Sequence, residues 1–304
     1  MPKVSINLCC YNSERFLEET LASVFAQTFK DYELVIVNDG SKDGTDALIR
    51  KHIASGRPIV YHPQENQGLG KSRNKALELS KGPLIAILDH DDVWEPRKLE
   101  RQVRLFDRPE VGFAGSDAIF IDSAGKEIGR YSEGRPLRRG NILRDLFLYN
   151  FIPCAAAMMR KSSIEAAGGF FRPDFRISEE YEMFLRLAER FEFDYVDEPL
   201  VRIRVHPGSA GWDVDRERAE MRQAYSECLA RNPDLATQLG ARVLSVKRNG
   251  FWLKPEEAAE LANGFSFSKA AFKAEGLYLL SMFGPETADR LLRCKREAAR
   301  RLSK

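Results

Sequence analysis

Carboxylates are concentrated at Asp89-His90-Asp91-Asp92, directly after the apolar segment 84–88. If that segment is a buried strand, three carboxylates lie at its end, and water or a cation must offset their mutual repulsion. Mg²⁺ and Mn²⁺ take oxygen ligands and typically bind one or two carboxylates together with substrate phosphates. We therefore predict a divalent-cation site here, in which His90 is not a ligand. A solvated acidic turn ahead of a helix is the alternative.

A second acidic residue, Asp39, follows another apolar strand, in the turn Asn38-Asp39-Gly40-Ser41. A carboxylate at this place can accept hydrogen bonds from a nucleobase N–H or from a ribose. The alternative is that Asp39 only forms the turn, since Asp-Gly is a common turn pair.

The segment 66–74 contains Gly70-Lys71-Ser72, which is similar to the end of a phosphate-binding P-loop. That motif requires a further glycine five residues before its second one, and Glu65 stands there. We therefore reject an ATPase. Arg73, in the first turn of the predicted helix, can instead reach a diphosphate with its planar guanidinium. An ordinary surface arginine is the alternative.

Two later segments add groups suited to proton transfer or metal binding. Glu179 and Glu180 open a predicted amphipathic helix, where acidic residues also favour the helix dipole. A carboxylate there can act as a general base if it reaches a substrate hydroxyl. His206 follows a predicted strand and joins the site only if its loop folds back onto the acidic run; otherwise it is structural.

The elements that must position these groups alternate between strand and helix in the first half of the chain. The predicted strands are 4–8, 32–37, 58–61 and 83–88, and the predicted helices are 13–27, 45–55 and 71–80. This order predicts a mainly parallel sheet with helices on both faces. Ligands bind beyond the carboxyl ends of such strands, where the turns at Asp39 and at Asp89 to Asp92 both lie.

The second half is predicted to be mixed and then helical. We predict strands at 111–120, 154–159, 193–196 and 201–205 and helices at 142–148 and 179–190. Helical patterns dominate after 212, so we predict an α/β domain at 1–212 and a helical region at 213–304. The last helix, 285–302, is basic and predicts a contact with an anionic membrane surface. Packing on the catalytic domain is the alternative.

Composition narrows the class of protein. The 304 residues are 43% hydrophobic and 30% charged, which excludes a disordered chain or a fibrous repeat. Because 47 Lys and Arg face 45 Asp and Glu, a nucleic-acid-binding domain is not expected. We find no segment of the roughly 18 apolar residues that span a bilayer, and no signal-peptide pattern at the start. With five sparsely spaced cysteines, these features predict free thiols and a cytoplasmic protein.

Taken in order, these segments resemble the family 2 glycosyltransferases over roughly residues 3–210. The opening strand and Tyr11-Asn12 are similar to the family's first strand and Tyr-Asn loop, although Cys9 and Cys10 stand where the family usually has Pro and Thr. The other matching segments are Asn38 to Thr45 (the Asp-Gly-Ser signature), Asn66 to Asn74 (Asn-x-Gly…Arg-Asn), Leu88 to Asp92 (a DxD-type motif), Glu179 to Arg186, and Arg204-x-His206.

The resemblance implies an α/β fold of the GT-A type: a Rossmann-like, mixed but mainly parallel sheet flanked by helices, followed by a C-terminal helical region. It implies that 1–212 is the nucleotide-sugar-binding and catalytic domain. It implies that Asp39 binds uracil or the equivalent base, that Arg73 contacts the diphosphate, and that Glu180 is the catalytic base. The implied nucleotide-binding residues are Cys10, Tyr11, Asn12, Asp39, Asn66, Gly68, Arg73, Asp89 and His90. The implied ligands of Mn²⁺ or Mg²⁺ are Asp91, Asp92 and His206.

We therefore expect an inverting transfer of a sugar from a nucleotide diphosphate sugar, most simply a UDP-sugar, to a saccharide or lipid-linked acceptor hydroxyl in cell-surface polysaccharide or glycolipid synthesis. Two other functions stay open. A sugar nucleotidyltransferase shares the nucleotide-binding sheet, but normally has a glycine-rich loop after the first strand, and Cys10 to Arg15 contain no glycine. A non-catalytic nucleotide-sugar-binding protein is the other. The protein is expected in the cytoplasm, with a peripheral contact to the inner membrane face through the basic helix.

Overall fold

The computed structural model describes residues 1–133, 137–206 and 214–239. These residues form nine strands: β1 (Val4–Cys10), β2 (Tyr32–Asp39), β3 (Ile59–Gln64), β4 (Leu84–Asp89), β5 (Val93–Trp94), β6 (Val111–Ile121), β7 (Glu127–Arg130), β8 (Met158–Arg160) and β9 (Glu192–Arg204). Their α-helices are α1 (Glu14–Phe25), α2 (Thr45–Ala54), α3 (Leu69–Leu79), α4 (Lys98–Val103), α5 (Leu143–Leu148), α6 (Lys161–Ala166), α7 (Glu179–Ala188) and α8 (Val214–Arg231).

The described strands form one mixed sheet in the order β3-β2-β1-β4-β8-β6-β9-β5, with β7 paired to β6. The first half of the chain is parallel, since β1 pairs in parallel with β2 and β4, and β2 does so with β3. Beyond β4 the sheet becomes mixed, because β8 is antiparallel to β4 and β6. The predicted α/β fold with helices on both faces is confirmed.

Both faces of the sheet are covered, which explains why its central strands are almost continuously apolar. On one face β1 and α1 share a core with residues such as Ile6, Leu8 and Leu21. On the other face β4 and β6 pack with α5, α7 and α8, through Ile87, Phe113 and other residues. The carboxyl ends of β1, β2 and β4 are therefore held in fixed register at one sheet edge.

Two predicted elements differ from the observed ones. The segment 154–159 is not one strand: Cys154–Ala156 is a 3-10 turn, and only Met158–Arg160 pairs in the sheet. The strands predicted at 193–196 and 201–205 are one strand, β9, whose pairing with β6 shifts register near Pro199. Proline has no N–H to donate, so a local irregularity accommodates it without ending the strand.

The described part of the C-terminal region packs on the first 212 residues. In α8, Met221, Tyr225 and Cys228 are buried in the same core as α5 and α7. The rings of Phe147 and Tyr225 lie 4.8 Å apart between centroids. The division into two regions at 212 stays a prediction, and the basic helix predicted at 285–302 lies outside the described residues. Among the described helices, none has both the length and the apolar character needed to cross a membrane.

Candidate active site

A cleft of ≈ 590 Å³ opens at the carboxyl ends of β1, β2 and β4. It brings together residues from segments as far apart in sequence as β1 and α7. Eleven residues predicted from the sequence line it: Cys10, Tyr11, Asp39, Asn66, Gly68, Arg73, Asp89, His90, Asp91, Asp92 and Glu180. The other two, Asn12 and His206, are not among its lining residues, although each contacts a loop that forms it.

The loop after β1 forms one wall of the cleft. Tyr11 is 48% exposed and lines the cleft, so its ring is available to a ligand. Asn12 has a φ of 50° and uses its side-chain oxygen to accept a hydrogen bond from the Lys42 N–H at 2.8 Å. Asn12 therefore ties this loop to the loop after β2. Burial raises the pKa of the Cys10 thiol above its ordinary value, so that thiol stays neutral.

Asp39 organises the loop that follows β3. Its carboxylate accepts hydrogen bonds from the Gln64 side chain and from the N–H groups of Gln67 and Gly68, at 2.8, 2.8 and 2.9 Å. Gly68 has a φ of +90°, which a residue with a Cβ rarely adopts. The positions of Asp39 and of the loop at Asn66 and Gly68 are thus set together. Their predicted contacts with the base and the nucleotide stay predictions.

The acidic run at 89–92 forms a tight turn that strand β9 holds in place. Asp92 is buried, with 4% of its surface exposed. Its carboxylate accepts a hydrogen bond from the Arg204 N–H at 2.8 Å. The Arg204 guanidinium donates to the carbonyl oxygen of Asp91 at 2.9 Å and pairs with Glu19 at 2.6 Å. Arg204 therefore connects the turn to α1 and to the end of β9.

The same connection places His206 against the turn. The loop that carries His206 therefore folds back onto the acidic run, which was the condition for His206 to join the site. His206 Nε2 lies 2.8 Å from Asp91 Oδ2, and the imidazole packs against the Phe16 ring. Although burial opposes ionisation of Asp91, the contact with His206 and the nearby His90 hold its pKa below the usual value. Asp91 is thus an ionised carboxylate at the cleft. Burial and the charges of Asp91 and Asp89 instead raise the pKa of Asp92 well above its usual range.

Arg73 lies on the floor of the cleft and contacts three carboxylates. It is 5% exposed, and its guanidinium nitrogens lie 3.1 Å from Asp89, 3.2 Å from Glu179 and 3.8 Å from Glu180. Opposite charges at these distances offset the repulsion between acidic groups that converge from β4 and α7. The predicted contact of Arg73 with a diphosphate stays a prediction.

The two glutamates that open α7 have different environments. Glu179 is fully buried, and its side chain faces Arg73. The Glu180 side chain is 18% exposed and lines the cleft. Burial and the neighbouring Glu179 raise the pKa of Glu180 to about 8, with Arg73 acting in the opposite direction. Of the pair, Glu180 is therefore the residue that a ligand in the cleft can contact. Its role as a base stays a prediction.

The predicted cation ligands Asp91, Asp92 and His206 differ in how well their donor atoms are placed to hold a metal ion. Within the described part of the chain, no three or more His, Cys, Asp or Glu side chains form a ready metal site. The Asp91 carboxylate, in contact with His206 beside the cleft, is nevertheless an oxygen donor that suits Mn²⁺ or Mg²⁺ when a substrate phosphate and water complete the coordination. Asp92 points to the backbone of β9. A metal role for these three residues stays a prediction.

Sequence reasoning missed several residues at the cleft. Arg176, Ile177 and Cys154 line it, but no local pattern marks them, since they come from loops and a turn that tertiary packing brings to the cleft. Glu220 of α8 accepts hydrogen bonds from the backbone just before α7. Its position in an ordinary amphipathic helix gave no signal of this contact.

Comparison with known proteins agrees with this geometry. Residues 5–168, more than half of the chain, match the family described as Glycosyl transferase family 2. The chain is 29% identical over 209 residues to an uncharacterized glycosyltransferase of Methanocaldococcus jannaschii, covering 67% of this chain and 71% of that protein. It is 28% identical over 191 residues to the putative teichuronic acid biosynthesis glycosyltransferase TuaG of Bacillus subtilis, covering 62% and 73%.

Solved structures share the fold. The chain superposes on S. aureus TarS 1–349 with a TM-score of 0.64 and 19% identity, over 95% of this chain and 83% of that one. The mannosyltransferase PcManGT from Pyrobaculum calidifontis, solved with GDP-Man and Mn²⁺, gives a TM-score of 0.63 at 19% identity, over 91% and 80%.

The fold is of the GT-A type, and the family match identifies a glycosyltransferase that uses a nucleotide sugar. The chain belongs to glycosyl transferase family 2. This confirms the family predicted from its motifs.

Proposed function

We propose that the protein transfers a sugar from a nucleotide diphosphate sugar to an acceptor hydroxyl with inversion at the anomeric carbon, and that Glu180 is the base. The observation that carries the proposal is that one cleft holds Asp39, the acidic turn and Glu180. A nucleotide lying along the ends of the strands extends from Asp39 toward Asp91. The sugar then lies between the diphosphate and Glu180.

In the proposed reaction the Glu180 carboxylate accepts the proton of the acceptor hydroxyl. The hydroxyl oxygen forms its bond to the anomeric carbon while the bond from that carbon to the diphosphate oxygen breaks. The bonding electrons leave with the nucleoside diphosphate. One displacement of this kind inverts the configuration, and no covalent sugar intermediate forms.

The negative charge that develops on the leaving diphosphate needs stabilisation. A divalent cation held by Asp91 and His206, with Asp92 as the remaining predicted ligand, would supply Lewis-acid stabilisation of that charge when bound. The ionised Asp91 carboxylate lines this end of the cleft. A cation that neutralises it also removes its repulsion for a diphosphate, which supports metal dependence.

For the donor we propose a UDP-sugar. TarS has been solved with UDP and with UDP-GlcNAc, whereas PcManGT has been solved with GDP-Man, so GDP-mannose is the alternative. For the acceptor we propose a saccharide of a cell-surface polysaccharide, since TuaG is named for teichuronic acid biosynthesis.

The first test screens nucleotide sugars, with and without Mn²⁺, by thermal unfolding. Ligands that bind only the folded state raise the melting temperature. UDP-GlcNAc, UDP-glucose and GDP-mannose are the first donors, and nuclear magnetic resonance of the product gives the anomeric configuration. Release of pyrophosphate from a nucleoside triphosphate and a sugar phosphate would instead indicate a sugar nucleotidyltransferase. Binding without turnover would indicate a non-catalytic protein.

The variant Glu180→Gln tests the base directly. The amide keeps the size of the side chain but cannot accept the proton, so we expect kcat for acceptor-dependent transfer to fall about 10²- to 10⁴-fold. Affinity for UDP should stay close to wild type. The exposed Glu78→Gln on α3 is the matched control, because among the described residues Glu78 forms an ion pair only with Lys75. Transfer by Glu180→Gln at the wild-type rate would remove Glu180 as the base.

A further inference from the structure

Helix α8 contributes one carboxylate to the segment that precedes the proposed base. Glu220 is 6% exposed, and its oxygens accept hydrogen bonds from three successive backbone N–H groups. The distances are 2.8 Å to Arg176 N and 3.0 Å to both Ile177 N and Ser178 N. Successive N–H groups that converge on one anion form a concave anion-binding backbone site, and here the anion is a side chain of the protein.

The bound segment is directly joined to the active site. Arg176 and Ile177 line the cleft, and Ser178 is the N-cap residue directly before α7. Glu180 is two residues further along. The position of the first turn of α7, and with it the direction of the Glu180 side chain, therefore depends on where the segment 176–178 is held.

Phe175 and Tyr181, on either side of this segment, are buried in the core, whereas the backbone of 176–178 itself is held by α8. The N–H groups of Arg176, Ile177 and Ser178 have Glu220 as their hydrogen-bond partner. Ser178 makes no side-chain capping bond at the start of α7. The family match ends at residue 168, so the contact joins a segment beyond the matched region to a helix further still along the chain.

We propose that Glu220 is a positioning residue for the transfer reaction: its carboxylate fixes the segment 176–178 so that Glu180 faces the acceptor hydroxyl. This assignment rests on the proposed function, in which Glu180 is the base. Glu220 touches neither substrate nor the reacting atoms, and it acts through the backbone. It also makes α8 a part of the active-site architecture rather than a separate appendage.

The test is the variant Glu220→Gln, because a glutamine of the same shape has one acceptor oxygen where the carboxylate has two. The segment loses part of its anchor, and a displacement of about 1 Å at a reacting group lowers the rate by about 10²-fold. We expect kcat for acceptor-dependent transfer to fall about 10- to 100-fold, with KM for the donor within about twofold of wild type.

Titration with UDP or GDP, whichever the wild type binds, separates positioning from misfolding. We expect one nucleotide bound per folded chain in Glu220→Gln, as in wild type, so the lower kcat belongs to intact sites. The control is Glu227→Gln on the same helix, where the carboxylate pairs with the Arg172 side chain at 2.6 Å and with no backbone N–H among the described contacts. Its kcat should equal that of wild type.

Three results would overturn the assignment. Unchanged kcat in Glu220→Gln would show that the anchor does not matter for transfer, while the proposed function still stands if Glu180→Gln is inactive. A loss of nucleotide stoichiometry parallel to the loss of kcat would make Glu220 merely structural. A wild-type protein that binds neither UDP nor GDP would remove the proposed function, and this assignment with it.

Discussion

At the residue scale, the main feature is a set of acidic groups that share a few positive charges. Arg73 lies among Asp89, Glu179 and Glu180, and Asp91 lies against His206. The same chemical group, a carboxyl, therefore has two different environments at one cleft. Asp91 is held ionised, while the pKa of Glu180 is raised. A carboxylate whose pKa lies near the working pH is suited to accept a proton and to release it afterwards.

The raised pKa of Glu180 predicts the pH dependence of transfer. The base acts in its ionised form, so kcat/KM should rise with pH up to about 8 and then level off. The measurement is the pH profile of acceptor-dependent release of nucleoside diphosphate by the wild-type protein. A profile already flat from pH about 5 would show that no group with such a pKa controls the reaction.

The same shift predicts how stability depends on pH. A carboxyl whose pKa is raised on folding stabilises the protein while it is protonated, and that contribution is lost as pH rises from its ordinary value through about 8. The Glu180→Gln variant cannot ionise, so its melting temperature should fall less than that of wild type over this range. Equal slopes for the two proteins would contradict the shift.

The variant Asp91→Asn tests whether Asp91 holds the cation, because its transfer activity should depend less on Mn²⁺. The amide removes the charge next to His206, so stimulation by Mn²⁺ should weaken, and UDP affinity measured with Mn²⁺ should fall about tenfold or more. UDP affinity without metal should change much less. Asp31→Asn, at an exposed carboxylate ahead of β2, is the control. Unchanged metal dependence in Asp91→Asn would take Asp91 out of the cation site.

At the element scale, the critical contact is between α3, which carries Arg73, and the chain that leads into α7. Asn74 and Phe171 exchange two hydrogen bonds, from Asn74 Nδ2 to the Phe171 carbonyl at 2.8 Å and from the Phe171 N–H to Asn74 Oδ1 at 2.7 Å. Gly70 faces the Arg172 carbonyl so closely that an added Cβ would overlap its oxygen. This close packing allows Arg73 to reach Glu179 and Glu180.

Gly70→Ala tests that packing. In an open helix alanine would stabilise by about 1 kcal/mol over glycine, but here the methyl group must push α3 away from the Arg172 backbone. We expect a net loss of about 1–3 kcal/mol of unfolding free energy together with a lower kcat/KM. The control Gly129→Ala places its methyl in open space on β7. A stabilised Gly70→Ala protein would show that the two segments are not in contact.

At the scale of the whole molecule, the sheet brings the binding groups to one edge, and the helices on one face carry the proposed base. Helix α8 closes that face, because Tyr225 packs on Phe147 and lies 6.1 Å from the Tyr181 ring of α7. The described part of the C-terminal region therefore shares a core with the sheet, and we expect it to unfold together with the sheet.

The variant Tyr225→Ala tests whether α8 and the sheet unfold together as one core. Removing a large buried aromatic side chain costs about 3–5 kcal/mol, so we expect a single unfolding transition at a clearly lower temperature, observed by calorimetry. Ser226→Ala, at the next and exposed position of α8, should unfold like wild type. If Tyr225→Ala left the main transition unchanged and weakened only a separate one, residues beyond 212 would form an independent unit.

The sequence by itself determined the parallel half of the sheet, because apolar strands and amphipathic helices are local patterns with fixed periods. It also placed Asp39 and the acidic run at strand ends, since the carboxyl ends of parallel strands meet at one edge. The order of the motifs was enough to identify the family.

Only the tertiary structure decided which carboxylates contact the Arg73 guanidinium and which of two adjacent glutamates reaches the cleft. Glu179 and Glu180 are neighbours in sequence, yet the packing of α7 against α3 buries one and leaves the other in the cleft. The contact of Glu220 with the segment 176–178 joins positions more than 40 residues apart. Such contacts depend on how helices pack in three dimensions, and no local period of the sequence encodes them.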